Sequence, residues 1–276
     1  MKKDGIRLMK EKMAIRIFDD YYYVGDEHVG FHILKTEEGL VMFDAMTTPD
    51  ADEVYLIPGL EKLGLDKERI NTIFLTHGHF DHYLGAEHVR LRTGCEVCLS
   101  AEDCIFMVSC LDNRDKGQEM PHITKIIKDG DVYTFGKHDV YVMSAPGHTP
   151  GCLNYSFPVH DKGVQHRAMM LGGSAVFGPG RYPGKEGYPY SAQYASEQAL
   201  IFAATLLKTW EYVKEHHCDV YLTAHPFGSD LLEHAAMNKE GEPNHVIIGT
   251  QGVGEYLKKH YDMCIQSAEL FCPIGK

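Results

Sequence analysis

The sequence predicts an α/β fold, a four-layer αβ/βα sandwich, and three observations lead there. Two sheet-rich halves are each closed by helical stretches. In the first half strands and helices alternate, so helices must cover the sheet. And four strong ligand residues stand directly past the end of a buried-looking strand, at what would be the sandwich edge.

Taken in order, short apolar runs separated by turns open the chain: Ala14 to Phe18, Tyr21 to Val24, Val29 to Leu34 and Leu40 to Asp44. They predict an antiparallel meander. Ala51 to Leu65 reads as a helix with Asp50 as its cap and Pro58 as an internal break. The strand Thr72 to Thr76, a helix from Gly85 to Arg92, the strand Glu96 to Ser100 and a helical piece starting at Ala101 complete the first half. Cys110 to Lys128 is polar and poorly patterned, which suggests a surface loop. The second half begins with strands Asp131 to Phe135, His138 to Ser144, Cys152 to Phe157 and Ala168 to Leu171. A long amphipathic helix, Ser191 to His216, carries the only tryptophan, Trp210. Asp219 to Thr223 is a last short strand and Val253 to Gln266 a last helix. No repeat is visible, and we expect one domain over residues 1–276.

Composition narrows the partners. A formal net charge of −12 disfavours nucleic acid, whose phosphates require a basic surface, and also an anionic membrane surface. The basic start, Met1 to Lys12, lacks an apolar run long enough for a signal peptide, and nothing downstream approaches a membrane span, so a soluble cytoplasmic protein is expected, or a periplasmic or secreted one if a leader was removed. The eight cysteines do not make a disulfide framework in a chain of this size. Cys95 and Cys98 are spaced C-x-x-C, but on a strand residues three apart face opposite sides, and buried thiols acting as small hydrophobes are the expectation. Oligomeric state leaves no readable trace.

The chemistry concentrates in Thr76-His77-Gly78-His79-Phe80-Asp81-His82. Imidazoles with one carboxylate suit zinc or a similar divalent ion. His77 and His79 lie two apart in an extended segment, so both reach the same side and can share one ion. Asp81 and His82 follow where the chain turns into a helix; their side chains diverge from the first pair and suggest a second ion. His148, in Ala145-Pro146-Gly147-His148-Thr149-Pro150-Gly151, and His225, in Thr223-Ala224-His225-Pro226, are again strand-end histidines and join the candidate ligands. The other histidines, such as His160 and His166 in what reads as a polar loop, have no such context.

H-x-H-x-D-H, then P-G-H-T-P-G, then a glycine-serine turn, then T-x-H-P together resemble the metallo-β-lactamase superfamily across essentially the whole chain. Many members, glyoxalase II and the lactonases among them, place a metal-bridging aspartate where this chain reads Leu171-Gly172-Gly173-Ser174. The serine there, with a histidine directly after the aspartate, is similar to the third subclass of class B β-lactamases. That resemblance implies His77, His79 and His148 on a first zinc and Asp81, His82 and His225 on a second. It also implies that Ser174 hydrogen-bonds a water on the second ion and that Asp81 orients the nucleophile. Zinc lowers the pKa of bound water from about 15.7 to about 7, so no separate protein base would be required.

The implied activity is zinc-dependent opening of a β-lactam amide, a resistance function, on a small-molecule substrate. The alternatives are a cytoplasmic metallohydrolase of another cyclic amide, lactone or ester, or a non-catalytic metal-binding protein on the same fold. Departures at Val176, at the cytoplasmic start and at the disulfide bear on the choice, as does an early tyrosine run. Val176 stands where the family has a second serine for the substrate carboxylate, which leaves Arg181 or Lys185 as replacement anchors, since arginine pairs with carboxylates in bidentate fashion. Tyr21, Tyr22 and Tyr23 are candidates for the pocket mouth, of which Tyr23 is carried forward, against a strand-packing alternative. The family's disulfide is incomplete: Cys218 matches one partner, and only the more distant Cys264 could substitute.

Overall fold

The computed structural model describes residues 12–109, 120–174 and 192–271. It contains two mixed sheets face to face with helices outside each, the layered sandwich expected from the sequence.

The first sheet has seven strands in chain order: β1 (Met13–Arg16), β2 (Tyr21–Gly25), β3 (Gly30–Thr36), β4 (Gly39–Phe43), β5 (Ile70–Phe74), β6 (Glu96–Leu99) and β7 (Lys125–Ile126). β1 to β4 form the expected antiparallel meander, and β4 to β7 run parallel. Parallel strands need crossovers, which α1 (Ile57–Leu63), α2 (Phe80–Tyr83) with α3 (Ala86–Thr93), and α4 (Ala101–Ser109) supply. The second sheet has five strands, ordered β12 (Val220–Thr223), β11 (Val164–Leu171), β10 (Leu153–Asp161), β9 (His138–Ser144) and β8 (Val132–Phe135). The helices α5 (Ala192–Glu215) and α7 (Gly249–Phe271) cover its outer face, and α6 (Leu231–Met237) lies between β12 and α7 in the chain.

Strand periodicity assigns each residue a face. Tyr21, Tyr23, Val41, Phe43 and Phe74 point between the sheets, where they meet Tyr155, Phe157 and Met170. Phe43 stacks on Phe157 of the opposite sheet at a centroid separation of 4.7 Å. Tyr22, Val24, Leu40, Met42 and Ile73 point the other way, against Leu56, Leu60 and Val89. Both faces of these strands are therefore buried, which is why their sequences read as continuous apolar runs.

Several expectations are corrected. Tyr23 is fully buried, its hydroxyl donating to the Asp26 carbonyl oxygen at 2.6 Å, so it is core and not a pocket-mouth residue. The helix expected from Ala51 starts as one π turn, Asp52–Leu56, that runs straight on into α1, and Pro58 is the second residue of α1. Asp50 caps through its backbone carbonyl, not its side chain. His160 and His166 lie on β10 and β11 because those strands run longer than their apolar segments. Part of the expected linking loop pairs with β6 as β7. Cys95, Cys98, Cys218 and Cys264 are free and buried, and burial pushes the Cys98 thiol up to about 12. No helix among the described residues is long and apolar enough to cross a membrane.

Candidate metal centre

The topology gathers the C-terminal ends of β4, β5, β9, β11 and β12 at one edge of the sandwich. The two sheets are pinned there by Leu153 N donating to the Thr76 carbonyl at 2.9 Å and by the Tyr155 hydroxyl donating to the Leu75 carbonyl at 2.7 Å. The loops leaving β5, β9 and β12 bring the candidate ligands to that edge.

The six residues singled out by the sequence come together as two adjacent groups, His77, His79, His148 and Asp81, His82, His225. In the first, His148 Nε2 lies 3.1 Å from His77 Nε2 and 3.2 Å from His79 Nδ1. In the second, His82 Nε2 lies 3.3 Å from His225 Nε2, with Asp81 Oδ2 3.7 and 3.8 Å from them. The rings of His77 and His82 are 4.1 Å apart, so the groups share a boundary. Bonds of about 2.0–2.1 Å in tetrahedral geometry set neighbouring ligand atoms roughly 3.3 Å apart, and the nitrogen separations here fit that edge.

The far nitrogens are held as metal-binding imidazoles require. His77 Nδ1 is 2.9 Å from Thr76 Oγ1, His82 Nδ1 is 2.7 Å from Asp44 Oδ2, and His225 Nδ1 is 2.8 Å from the His28 carbonyl. With the Nδ1 proton engaged, each Nε2 lone pair faces the site. Asp44 is the residue that sequence reading missed. Its Oδ2 also accepts the Thr76 hydroxyl at 2.9 Å, and its Oδ1 accepts Thr76 N at 2.7 Å. One carboxylate thus orients His82 directly and His77 through Thr76. Its only sequence signal is position, a carboxylate directly after an apolar strand; the backbone turns there with Asp44 at φ 60°.

The electrostatics favour neutral imidazoles at His77 and His225 and a charged carboxylate at Asp81. Burial, reinforced by the surrounding imidazoles, pushes His77 well below the ordinary histidine range, so it is neutral and free to ligate. Burial likewise lowers His225, with His82 adding to the effect. Burial opposes the Asp81 charge, yet His82, His225 and His79 hold its carboxyl below the usual range. The donors present therefore fit divalent ions at both groups. Ser174 is half-buried in the turn after β11, where that turn's Gly173 packs on His148. Arg181, Lys185 and Val176 lie outside the described residues.

A further cluster, Asp20, His138 and His160, contrasts with these. His138 Nε2 and His160 Nδ1 both approach Asp20 Oδ2, at 2.9 and 2.5 Å, which are hydrogen-bond lengths shorter than a ligand edge. His138 Nδ1 is buried without a partner, so it is assigned as the bare acceptor and Nε2 as the N–H. A metal on Nε2 would move the proton onto that orphaned atom. The cluster is a hydrogen-bonded clasp joining the β1–β2 turn to β9 and β10.

Comparison with known proteins places this arrangement. Residues 31–161 match the family model described as the metallo-beta-lactamase superfamily. A hydroxyacylglutathione hydrolase of Brucella canis is 28% identical over 226 residues, 81% of this chain and 76% of that one. The subclass B3 metallo-beta-lactamase BJP-1 of Bradyrhizobium japonicum superposes with a TM-score of 0.73 at 22% identity, covering 93% of this chain and 94% of that one. Native FEZ-1 metallo-beta-lactamase of Legionella gormanii does so with 0.75 at 20% identity, covering 95% and 98%. At such identities the structural likeness shows the fold alone.

Proposed function

We infer that this chain, a hydrolase whose residues 31–161 match the metallo-beta-lactamase superfamily model, opens the amide bond of β-lactams at a two-zinc centre. The supporting observation is the donor set: His77, His79 and His148 beside Asp81, His82 and His225, with the turn Gly172-Gly173-Ser174 offering no carboxylate between them. Bound divalent ions would supply Lewis acidity and lower the pKa of a coordinated water.

The chain's own residues do the rest. Asp81, kept ionised by the imidazoles around it, accepts a hydrogen bond from the attacking water and aims it at the carbonyl carbon. Asp44 holds His82 and, through Thr76, His77 in one orientation, so the donors need no rearrangement as charge develops. Ser174 hydrogen-bonds a water at the second group. Arg181 or Lys185 anchors the substrate carboxylate that Val176 cannot bind.

A thioester or ester hydrolase is the second reading, favoured by the 28% identity to hydroxyacylglutathione hydrolase over most of both chains. Both reactions attack a carbonyl carbon and differ in the leaving group. The test is turnover of a chromogenic cephalosporin and of a 2-hydroxyacyl glutathione thioester by zinc-loaded protein, with a chelated sample beside each. Chelator-sensitive cephalosporin turnover of about 1–1,000 per second is the expected result. Thioester turnover alone transfers the assignment to the second reading, and inertness toward both from a fully metallated sample overturns both.

A further inference from the structure

We infer that Asp103 is a positioning residue for the first ion: through its carboxylate, the first turn of α4 holds the His77–His79 loop and the His148 loop at the separation where their three nitrogens converge. The inference rests on reading His77, His79 and His148 as ligands of one ion.

These ligands come from two loops on different sheets, so something must fix the gap between them. Asp103 is fully buried and spans it. Its Oδ2 accepts Gly78 N, between the two histidines of the first loop, at 2.7 Å. The same oxygen accepts the hydroxyl of Thr149, next to His148, at 2.7 Å. Oδ1 accepts Gly151 N at 2.6 Å. One carboxylate thus takes three donors from the segments on either side of the site and none from its own helix.

The helix itself is seated to permit this. Ser100 accepts Asp103 N at its hydroxyl, 3.2 Å away, while that hydroxyl donates to the Gly151 carbonyl at 2.6 Å. Gly151 lies so close to α4 that a Cβ there would overlap Ser100 Oγ and come within 2.5 Å of Asp103 N. The close approach is therefore built into the sequence at both partners. Position in the first helical turn favours a negative charge. Burial pushes the Asp103 carboxyl up to about 6, with its three donors opposing that rise, so at neutral pH it is ionised and can accept all three.

The experiment measures the two stepwise zinc affinities of the full chain by competition with a chromophoric chelator. His148→Ala serves as the control that assigns one constant to the first ion. Asp103→Asn keeps size but sets an amide N–H against donors; it is expected to weaken first-ion binding about 10–100-fold and leave the second constant unchanged. Thr149→Val removes a single donor and is expected to weaken the same constant by less, with no further loss when combined with Asp103→Asn. First-ion affinity at the wild-type level in both variants overturns the inference. So does an equal fall in both constants, which is general loosening. Should Asp103→Asn fail to fold, Thr149→Val alone decides. Two unchanged constants in His148→Ala would instead remove the ligand reading beneath it.

Discussion

Asp44→Asn is the sharpest probe of how the two metal groups are coupled. The wild-type carboxylate receives three donors, Thr76 N, Thr76 Oγ1 and His82 Nδ1, at 2.7–2.9 Å, and is completely buried. An asparagine of the same shape has one oxygen and one NH2. If the oxygen stays on Thr76 N, the NH2 faces His82 Nδ1, which must then become an acceptor. That tautomer carries its proton on Nε2, the atom aimed at the second ion. If the amide flips instead, the NH2 opposes the Thr76 backbone N–H, a buried donor left unmade at a cost of about 1–3 kcal/mol. Loss of such an outer partner typically weakens metal affinity by about 10–100-fold, or about 1.4–2.7 kcal/mol, which falls within the same range. Second-ion affinity should drop by that factor. First-ion affinity should fall less, because Thr76 still contacts His77 Nδ1 at 2.9 Å. Stepwise zinc affinities from chelator competition on the folded variant test this. Two unchanged constants would show that His82 does not depend on Asp44, and the coupling through Thr76 would fall with it.

Two further perturbations address packing and charge. Gly173→Ala adds a methyl that would overlap the His148 Cβ, an overpacking cost of about 1–3 kcal/mol, so both the melting temperature and first-ion affinity should fall; a normal melt with normal affinity removes the packing argument. At the clasp, burial raises the Asp20 carboxyl but hydrogen bonds from His138 and His160 outweigh it, leaving the folded-state value below 3.8. A depressed carboxyl contributes stability that is present above its unfolded pKa and lost as pH falls through the folded one. Urea unfolding of metal-free protein should therefore show Asp20→Asn less stable than wild type at about pH 5, with the gap closing as pH falls below the ordinary carboxylate range of about 4; a gap independent of pH would mean the clasp works by shape and not by charge.

What was legible in the chain divides along a physical line. Residues that bind an ion must present particular donor atoms at particular backbone positions, and that requirement is local. His77, His79, Asp81 and His82 are within six positions, and His148 and His225 each sit just past a strand, so type and context brought all six forward as candidates, and the fold gathers them at one edge. The alternation of strand faces is also local, and it decides the fate of the tyrosine triplet: with a strand period of two, Tyr21 and Tyr23 face the opposite sheet and Tyr22 the helices. The orienting residues follow a different rule. Asp44 acts on a histidine 38 positions away, and Asp103 on loops 25 and 46–48 positions away, so the neighbouring sequence does not name the partners of either. Ser100 and Asp103 even have the spacing of an ordinary helix cap, which hides a carboxylate turned away from its own helix. The same distance that hides these residues makes them informative. An exposed ligand loop can keep its histidines while losing its geometry, whereas Asp44 and Asp103 are useful only if β4, α4 and both metal loops close on one point. Their fully satisfied hydrogen bonds contrast with the unpartnered nitrogen of His138 in the clasp.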